Sequence, residues 1–221
     1  NASLDAIDII GFTATSDTKN NSTSATNATL TAKDANDVTI DVSKATGSSG
    51  AFKLVGGTGK DTLTGGAGAD IITGGDDIDT IDGGAANDII TGGAGNDIIT
   101  GGDGNDSITI DTDTDKINDL GGSTGNDQDV VVVKAGATLN AINIIGFTAT
   151  NSTQNNSTGA SNAVLNAKDG ENVTIDVSKA TGAFKLVGGT GQDTLTGAGG
   201  ADTITGGGEA DTIVGNAGID T

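Results

Sequence analysis

Residues 56–109 read GGTGKDTLT, GGAGADIIT, GGDDIDTID, GGAANDIIT, GGAGNDIIT and GGDGNDSIT, six nonapeptides in unbroken phase. A second set starts at Gly188 and runs GGTGQDTLT, GAGGADTIT, GGGEADTIV and the beginning of another, GNAGID. Every nonapeptide opens with glycine and has aspartate at position 6, and every complete one has leucine or isoleucine at position 8. A short period of this kind is typical of a chain that stacks one small structural unit on the next.

Each nonapeptide divides into a turn and a strand. We expect positions 1–6 to form a tight turn, because glycine adopts positive φ and lets carbonyl groups approach closely. Positions 7–9 are expected to form a short strand whose central apolar residue points into a thin core. Two nonapeptides then make one coil, and turns two repeats apart lie on one edge at the strand spacing of about 4.8 Å. The predicted fold class is therefore all-β, a right-handed parallel β-roll or β-helix.

The turns carry the predicted chemistry, which is the binding of several Ca²⁺ ions. A short carboxylate beside exposed turn carbonyls is an all-oxygen ligand set, which suits this cation. The predicted carboxylate ligands are the position-6 aspartates: Asp61, Asp70, Asp79, Asp88, Asp97, Asp106, Asp193, Asp202, Asp211 and Asp220. The glycines predicted to shape the metal sites are Gly57, Gly59, Gly66, Gly68, Gly75, Gly84, Gly93, Gly95, Gly102, Gly104, Gly189 and Gly191.

Two considerations qualify the individual sites. Asp77 and Ala86 replace glycine at position 4 and Ala198 replaces it at position 2, which leaves those turns open to question. The residues also allow a metal-free β-helix with ladders of Asn and Asp in its turns. Stacked carboxylates repel each other strongly without a cation, so the calcium interpretation predicts that folding and metal binding are coupled.

The nonapeptides belong to a longer duplicated unit. Residues 4–47 return at 139–182, and residues 51–66 are matched from 183 onward, so the offset is 132–135 residues. Between the nonapeptide sets the sequence is rich in short alternating stretches, such as the apolar Val38, Ile40 and Val42. The predicted segments are a β-strand module at 1–55, a β-roll at 56–109, a cap or linker at 110–135, a second module at 136–187 and a truncated second roll at 188–221.

The segment at 110–135 leaves two questions. Asp111, Asp113 and Asp115 alternate with threonine, and they either bind further calcium or form a solvated acidic face. The run Val130–Val133 is continuously apolar, which favours a strand buried on both faces.

Composition excludes several classes of function. The formal net charge of −20 disfavours nucleic acid as a partner. The sequence contains no run of about 20 apolar residues, so it predicts no membrane-spanning helix. Without histidine or cysteine, nucleophile–histidine catalysis is impossible within this segment, and we predict that it is not an enzyme.

The nonapeptides G-G-x-G-x-D-x-U-x resemble those of the RTX, or hemolysin-type, calcium-binding secreted proteins. The stretches VTIDVSKATG and AFKLVGG give the chain most similarity to bacterial S-layer and β-strand-repeat surface proteins. The resemblance implies that each Ca²⁺ is shared by two stacked turns. It also implies type I secretion and folding outside the cell, where calcium is millimolar.

Three hypotheses of function follow. The first is a structural protein of the cell surface or extracellular matrix that self-associates into an S-layer lattice or filament, with an anchor to cell-surface polysaccharide outside this segment. The second is the stalk of a large RTX adhesin, which would have a binding tip elsewhere. The third is the secretion and folding region of an RTX exoenzyme or toxin.

Overall fold

A computed structural model describes residues 4–13, 28–33, 36–45, 50–120, 129–144, 146–149, 153–157 and 163–221. These residues form strands and turns and no helix. Accordingly, the described ranges contain no helix that could cross a membrane.

The strands lie in three sheets. The first sheet contains, in spatial order, β1 (Leu4–Ile9), β3 (Ala28–Ala32), β5 (Lys53–Thr58), β7 (Ile71–Asp76), β9 (Ile89–Ala94), β11 (Ser107–Ile110), β13 (Val130–Val133) and β16 (Gln154–Asn155). The second contains β2 (Phe12–Thr13), β4 (Thr39–Asp41), β6 (Thr62–Thr64), β8 (Thr80–Ala85), β10 (Ile98–Asp103), β12 (Thr114–Asp119), β14 (Thr138–Ile144), β17 (Ala163–Ala167), β19 (Lys185–Gly189) and β21 (Thr203–Gly207). The third contains β15 (Phe147–Thr148), β18 (Thr174–Asp176), β20 (Thr194–Thr196) and β22 (Thr212–Val214).

All paired strands are parallel, and in the nonapeptide region the chain alternates between the first and second sheets. In the first sheet Leu54 pairs with Ile72 and Ile72 with Ile90, so neighbouring strands are separated by the length of two nonapeptides. In the second sheet the pairing of Leu63 with Ile81 repeats this separation. The predicted all-β class and the coil of two nonapeptides are confirmed.

Several strands are longer than the three residues predicted. Strands β7 to β10 each run from position 7 of one nonapeptide to position 3 of the next, so only positions 4–6 lie outside them. The opening glycines take part in the pairing, and Gly75 lies between Gly57 and Gly93. A Cβ added at Gly75 would overlap the Gly57 carbonyl oxygen, and the φ of Gly75 is +132°. Only glycine lets the strand continue here at the normal spacing.

The position-8 residues form the core, as predicted. The fully buried ones from the nonapeptides are Leu63, Ile72, Ile81, Ile90, Ile99, Ile108 and Leu195. Ile204 is partly buried, and Ile213 is 49% exposed because β22 is an edge strand of its sheet. Ile213 nevertheless pairs with the buried Leu195, so it stands in the register of the inward row.

The modules outside the nonapeptides continue the same sheets. Val38, Ile40 and Val42 are buried, and Ile40 pairs directly with Leu63 of the first nonapeptide. The predicted segment boundaries therefore do not interrupt the pairing of the strands. Parallel main-chain hydrogen bonding needs only an extended backbone at the right height, so coils of different length can share one stack.

The segment 110–135 was predicted to be a cap or a linker, and its strand β12 continues the stack. β12 pairs with β10 on one side and with β14 on the other. The valine run was also expected to be buried on both faces, and this is wrong. Val131 and Val133 are buried whereas Val130 and Val132 are only partly so, because alternate side chains of a strand point to opposite faces.

Candidate calcium-binding edges

The position-6 aspartates form ladders along the edges of the roll. The main-chain N–H of Asp61 donates to Oδ1 of Asp79 at 2.8 Å, and that of Asp79 donates to Oδ1 of Asp97 at 2.8 Å. The same bond joins Asp97 to Asp115 at 2.9 Å. Each carboxylate is thereby held one coil above the last, on the same edge.

The opposite edge repeats the arrangement. Asp70 donates to Asp88 at 2.7 Å, Asp88 to Asp106 at 2.8 Å and Asp106 to Asp129 at 2.9 Å. The second set of nonapeptides has the shorter ladders Asp193 to Asp211 and Asp202 to Asp220, each at 3.0 Å. The structure therefore brings all ten predicted aspartates into ladders, with Asp211 and Asp220 only partly buried at the far ends.

Apolar residues stand at the near ends of the ladders. The main-chain N–H groups of Val38, Phe52, Val173 and Phe184 donate to Oδ1 of Asp61, Asp70, Asp193 and Asp202 respectively. Each of these four residues occupies the place of an aspartate one coil earlier. The ladders begin where the module before each nonapeptide set supplies a buried apolar side chain instead of a carboxylate.

The second carboxylate oxygen is the chemically significant one. Oδ2 is buried without a hydrogen-bond partner in the following aspartates: Asp61, Asp79, Asp88, Asp97, Asp115 and Asp193. Buried polar atoms are almost always hydrogen-bonded, and a buried carboxylate oxygen without a partner is costly. Such a series of oxygens indicates that a ligand satisfies them.

The Oδ2 atoms of Asp61, Asp79, Asp88 and Asp193 each lie close to a glycine and to a carbonyl group of the next coil. A Cβ added at Gly83 would lie 2.5 Å from Asp88 Oδ2 and closer still to the Gly101 carbonyl oxygen. Gly56 is placed in the same way, against Asp61 Oδ2 and the Gly74 carbonyl oxygen. The position-1 glycine thus leaves open a space lined by a carboxylate and by a carbonyl from the next coil.

This donor set fits calcium better than a transition metal. It contains carboxylate and carbonyl oxygens, which Ca²⁺ prefers, and the chain has no histidine or cysteine. Within the described ranges, no three acidic side chains converge on one point. A cation at these edges would therefore rely on main-chain carbonyl groups as well as on the aspartates.

Burial changes the acidity of the ladder. The pKa of Asp79 is raised to about 7, first by burial and then by the charges of Asp97 and Asp61. The pKa of Asp88 is raised to about 8, again mainly by burial and next by Asp106 and Asp70. Without a cation the charged ladder is therefore unfavourable at neutral pH, and a bound Ca²⁺ would reverse that penalty.

Two turns differ from the others. Asp70 Oδ2 accepts a hydrogen bond from the Gly66 N–H at 2.7 Å, and Asp202 Oδ2 accepts one from the Ala198 N–H at 2.7 Å. Neither Gly66 nor Ala198 has a positive φ. The alanine at 198 is therefore tolerated, because this turn does not need the conformation that favours glycine.

The predicted glycines otherwise occupy the left-handed region. Positive φ is found at Gly57, Gly59, Gly75, Gly84, Gly93, Gly95, Gly102, Gly104, Gly189 and Gly191, and not at Gly66 or Gly68. Asp77 and Ala86 keep positive φ values of 71° and 77° at position 4 despite their side chains. These two substitutions thus leave the turn intact at a local backbone cost of about 1–2 kcal/mol each.

Two ladder residues were not among the predicted ligands. Asp115 was one of three aspartates left open, and Asp129 was not singled out as a ligand. Both are fully buried at the height of position 6. One signal in the sequence was available for both: an apolar residue follows each aspartate two places later, as position 8 follows position 6. These residues are Ile117 and Val131, which pair with Ile99 and Ile108 respectively.

Comparison with known proteins agrees with this chemistry. The family model for RTX calcium-binding nonapeptide repeats, which spans four copies, matches residues 46–81, 73–108 and 187–221. No curated protein and no solved structure matched the chain. The matched segments contain all ten predicted aspartates, and these segments match the RTX calcium-binding nonapeptide repeat.

Proposed function

We propose that this chain is a calcium-dependent structural segment of a secreted surface protein, whose copies assemble into a lattice or filament. The observation that carries the proposal is the unbroken stack of parallel strands. The second sheet extends from β2 in the first copy of the repeat to β21 in the second. A stack that passes from one copy into the next supports a structural role.

The relation between the two copies also supports assembly. Strands β3 and β5 of the first copy lie in the first sheet, while their equivalents β17 and β19 lie in the second. The second copy therefore enters the stack half a coil later than the first. Equivalent outer surfaces of successive copies then face opposite sides, which suits a protein that contacts neighbours on both sides.

Calcium would act as the switch for folding. The buried Oδ2 atoms and a net charge of −20 oppose a compact state without cations. At millimolar calcium the ladders would fill and the roll would fold, with site affinities of about 10⁻⁴ to 10⁻³ M, as in extracellular modules. Secretion in an unfolded form followed by folding outside the cell is consistent with this behaviour.

We assign no catalytic role to this segment. The ladder carboxylates are buried and arranged for a cation, and the proposal gives them no substrate. An exoenzyme or toxin would need its catalytic domain in another part of the protein.

The proposal is tested by titrating the chain with calcium after treatment with chelator. Circular dichroism measures β structure, and electron microscopy of the same samples detects assembly. We expect β structure to appear at millimolar Ca²⁺ and not at equal Mg²⁺, followed by ordered sheets or fibres. Magnesium is the matched control because it demands a smaller octahedral site.

Two other outcomes are decisive. A chain that is fully folded in chelator and unchanged by calcium would refute the calcium-dependent roll. Calcium-dependent folding without assembly, checked at high protein concentration, would favour the adhesin stalk over the lattice.

A further inference from the structure

The turn at 110–115 reads IDTDTD and lies beyond the first group of matched repeats, which ends at residue 108. It nevertheless stacks directly on the turn 92–97. Ile99 pairs with Ile117, and the Asp97 N–H donates to Asp115 Oδ1 at 2.9 Å. Residues 110–118 therefore occupy the place of a further nonapeptide that lacks the glycines.

Asp115 shares two features with the ladder aspartates of the recognised repeats. Its side chain is 0% exposed, and its Oδ2 has no hydrogen-bond partner. Asp97, one coil earlier, presents the same kind of buried oxygen on the same edge. The oxygen of Asp115 needs a partner for the same reason as theirs.

The backbone of this turn also resembles the others. Asp113 stands at position 4 with a φ of 60°, where Gly95 has a φ of 128° one coil earlier. Asp113 Oδ2 accepts a hydrogen bond from the Gly95 N–H at 3.3 Å, so its side chain reaches toward the neighbouring turn. Unlike glycine, it adds a carboxylate at that point.

The charges are unbalanced. Lys134 forms an ion pair with Asp111. Among the described residues, the structure gives Asp97, Asp113 and Asp115 no lysine partner. Three carboxylates on two stacked turns therefore lack a counter-charge.

Ile110 and Asp111 explain why this turn escapes the motif. They replace the two opening glycines, and the Ile110 side chain is fully buried in the hydrophobic core. Asp113 provides a carboxylate that Gly95 does not have, whereas Asp111 is already paired with Lys134. The Asp113 carboxylate is thus the additional acidic group that this turn offers to a cation.

We propose that the turn Ile110–Asp115 is a calcium site outside the recognised nonapeptides, shared with the turn Gly92–Asp97. Asp115 Oδ2 is the buried ligand and Asp113 the second acidic ligand. The proposal rests on calcium binding by the recognised repeats.

The test counts the calcium bound by the complete chain, by equilibrium dialysis and metal analysis. Asp115→Asn keeps an oxygen for the Asp97 N–H and removes the charge, and we expect it to lose one bound ion per chain. Asp113→Asn suits a positive φ, so the fold is kept, and it should weaken one site about tenfold. Asp41→Asn is the control, because Asp41 lies outside the described ladders and its Oδ1 accepts a hydrogen bond from the nearby Ser43 N–H.

The outcomes separate this site from the proposed function. If Asp115→Asn and Asp113→Asn both bind as much calcium as the unchanged chain, with unchanged affinity, while Asp88→Asn loses ions, the site is refuted and the calcium-binding roll stands. If the unchanged chain binds no calcium, both ideas fail. Circular dichroism in calcium shows whether Asp115→Asn is folded. If that variant is unfolded, the calcium bound by Asp113→Asn alone decides whether the site exists.

Discussion

The substitution Asp88→Asn tests the electrostatics of the ladder, because it should have opposite effects with and without calcium. Burial raises the pKa of Asp88 from 3.8 to about 8. A group whose pKa is raised on folding contributes stability below its unfolded pKa and loses it as the pH rises through the folded value. At pH 7 the carboxyl therefore opposes folding of the calcium-free chain.

The size of the effect follows from the shift. Between pH 3.8 and pH 7 the penalty grows by about 1.4 kcal/mol per pH unit, which gives about 4 kcal/mol as an upper limit. Asparagine removes this penalty and keeps an oxygen for the Asp70 N–H. Its Nδ2 group is a new buried donor, and leaving it without an acceptor would cost about 1–3 kcal/mol. The difference between these two contributions is a net stabilisation of about 2 kcal/mol in chelator.

With calcium the sign reverses. At about 5 mM Ca²⁺ and a dissociation constant of about 10⁻⁴ M, each bound ion stabilises the folded chain by about 2 kcal/mol. Asp88→Asn loses the carboxylate ligand, so it should bind fewer ions and be less stable than the unchanged chain.

Asp70→Asn is the matched control on the same edge. Both oxygens of Asp70 already accept main-chain hydrogen bonds, from Phe52 at 2.6 Å and Gly66 at 2.7 Å. Its pKa is raised only to about 6, mainly by burial, so removing the charge gains less than at Asp88. In Asp70→Asn the Nδ2 group would face the Gly66 N–H, so two donors would meet. The cost of this contact should offset the gain from removing the charge to within about 1–2 kcal/mol. We expect the number of bound ions to stay the same.

Urea unfolding followed by circular dichroism measures both variants at pH 7, in chelator and in calcium. If chelator leaves the chain unfolded at pH 7, lowering the pH to 5 locates a folding midpoint, which Asp88→Asn should move upward. Destabilisation of Asp88→Asn under both conditions would refute the reasoning. Equal loss of calcium from the two variants would refute the distinction between their turns.

Three further predictions concern the glycines, the core and pH. Gly75→Ala should prevent normal folding, because its Cβ would overlap the Gly57 carbonyl oxygen. Gly199→Ala places its Cβ in open space and should leave the midpoint of thermal unfolding unchanged. Equal thermal midpoints for the two variants would contradict this prediction. Ile90→Ala should lower the free energy of unfolding in calcium by about 2–5 kcal/mol, because Ile90 is fully buried. Ile89→Ala, at a 52% exposed position, should change it by less than about 1 kcal/mol. Similar losses in the two variants would contradict the inward direction of position 8. The calcium-free chain should gain β structure below about pH 6 and lose it toward pH 8, because burial raises the pKa values of Asp79 and Asp115 to about 7. Circular dichroism in chelator measures this change. An increase of β structure with rising pH would contradict the prediction.

Much of the repeat chemistry could be predicted from the nonapeptides themselves. Aspartate at position 6 and an apolar residue at position 8 of each nonapeptide are local features, and each nonapeptide repeats the same turn. The coil of two nonapeptides follows from that repetition, and the register of Leu54, Ile72 and Ile90 confirms it. Which of the predicted residues bind calcium stays a prediction.

Elsewhere the period of nine disappears, and with it the signal for stacking. Leu30 pairs with Leu54, and Ile40 pairs with Leu63, and neither separation along the chain is a multiple of nine. Parallel pairing depends on main-chain hydrogen bonds between residues separated by loops of variable length, which leave no fixed spacing to recognise. The predicted modules and cap therefore appeared as separate pieces of sequence, although their strands join the same sheets.

By itself, the sequence determined the repeating turn, the inward apolar row and the all-oxygen chemistry suited to calcium, because these depend on residues within one nonapeptide. Only the tertiary structure decided that Asp115 joins a ladder while Asp70 and Asp202 use their second oxygen on a main-chain N–H. It also decided that equivalent strands of the two copies lie in different sheets. The reason is that each of these features depends on which coil lies next to a turn, and that contact joins residues far apart in the chain.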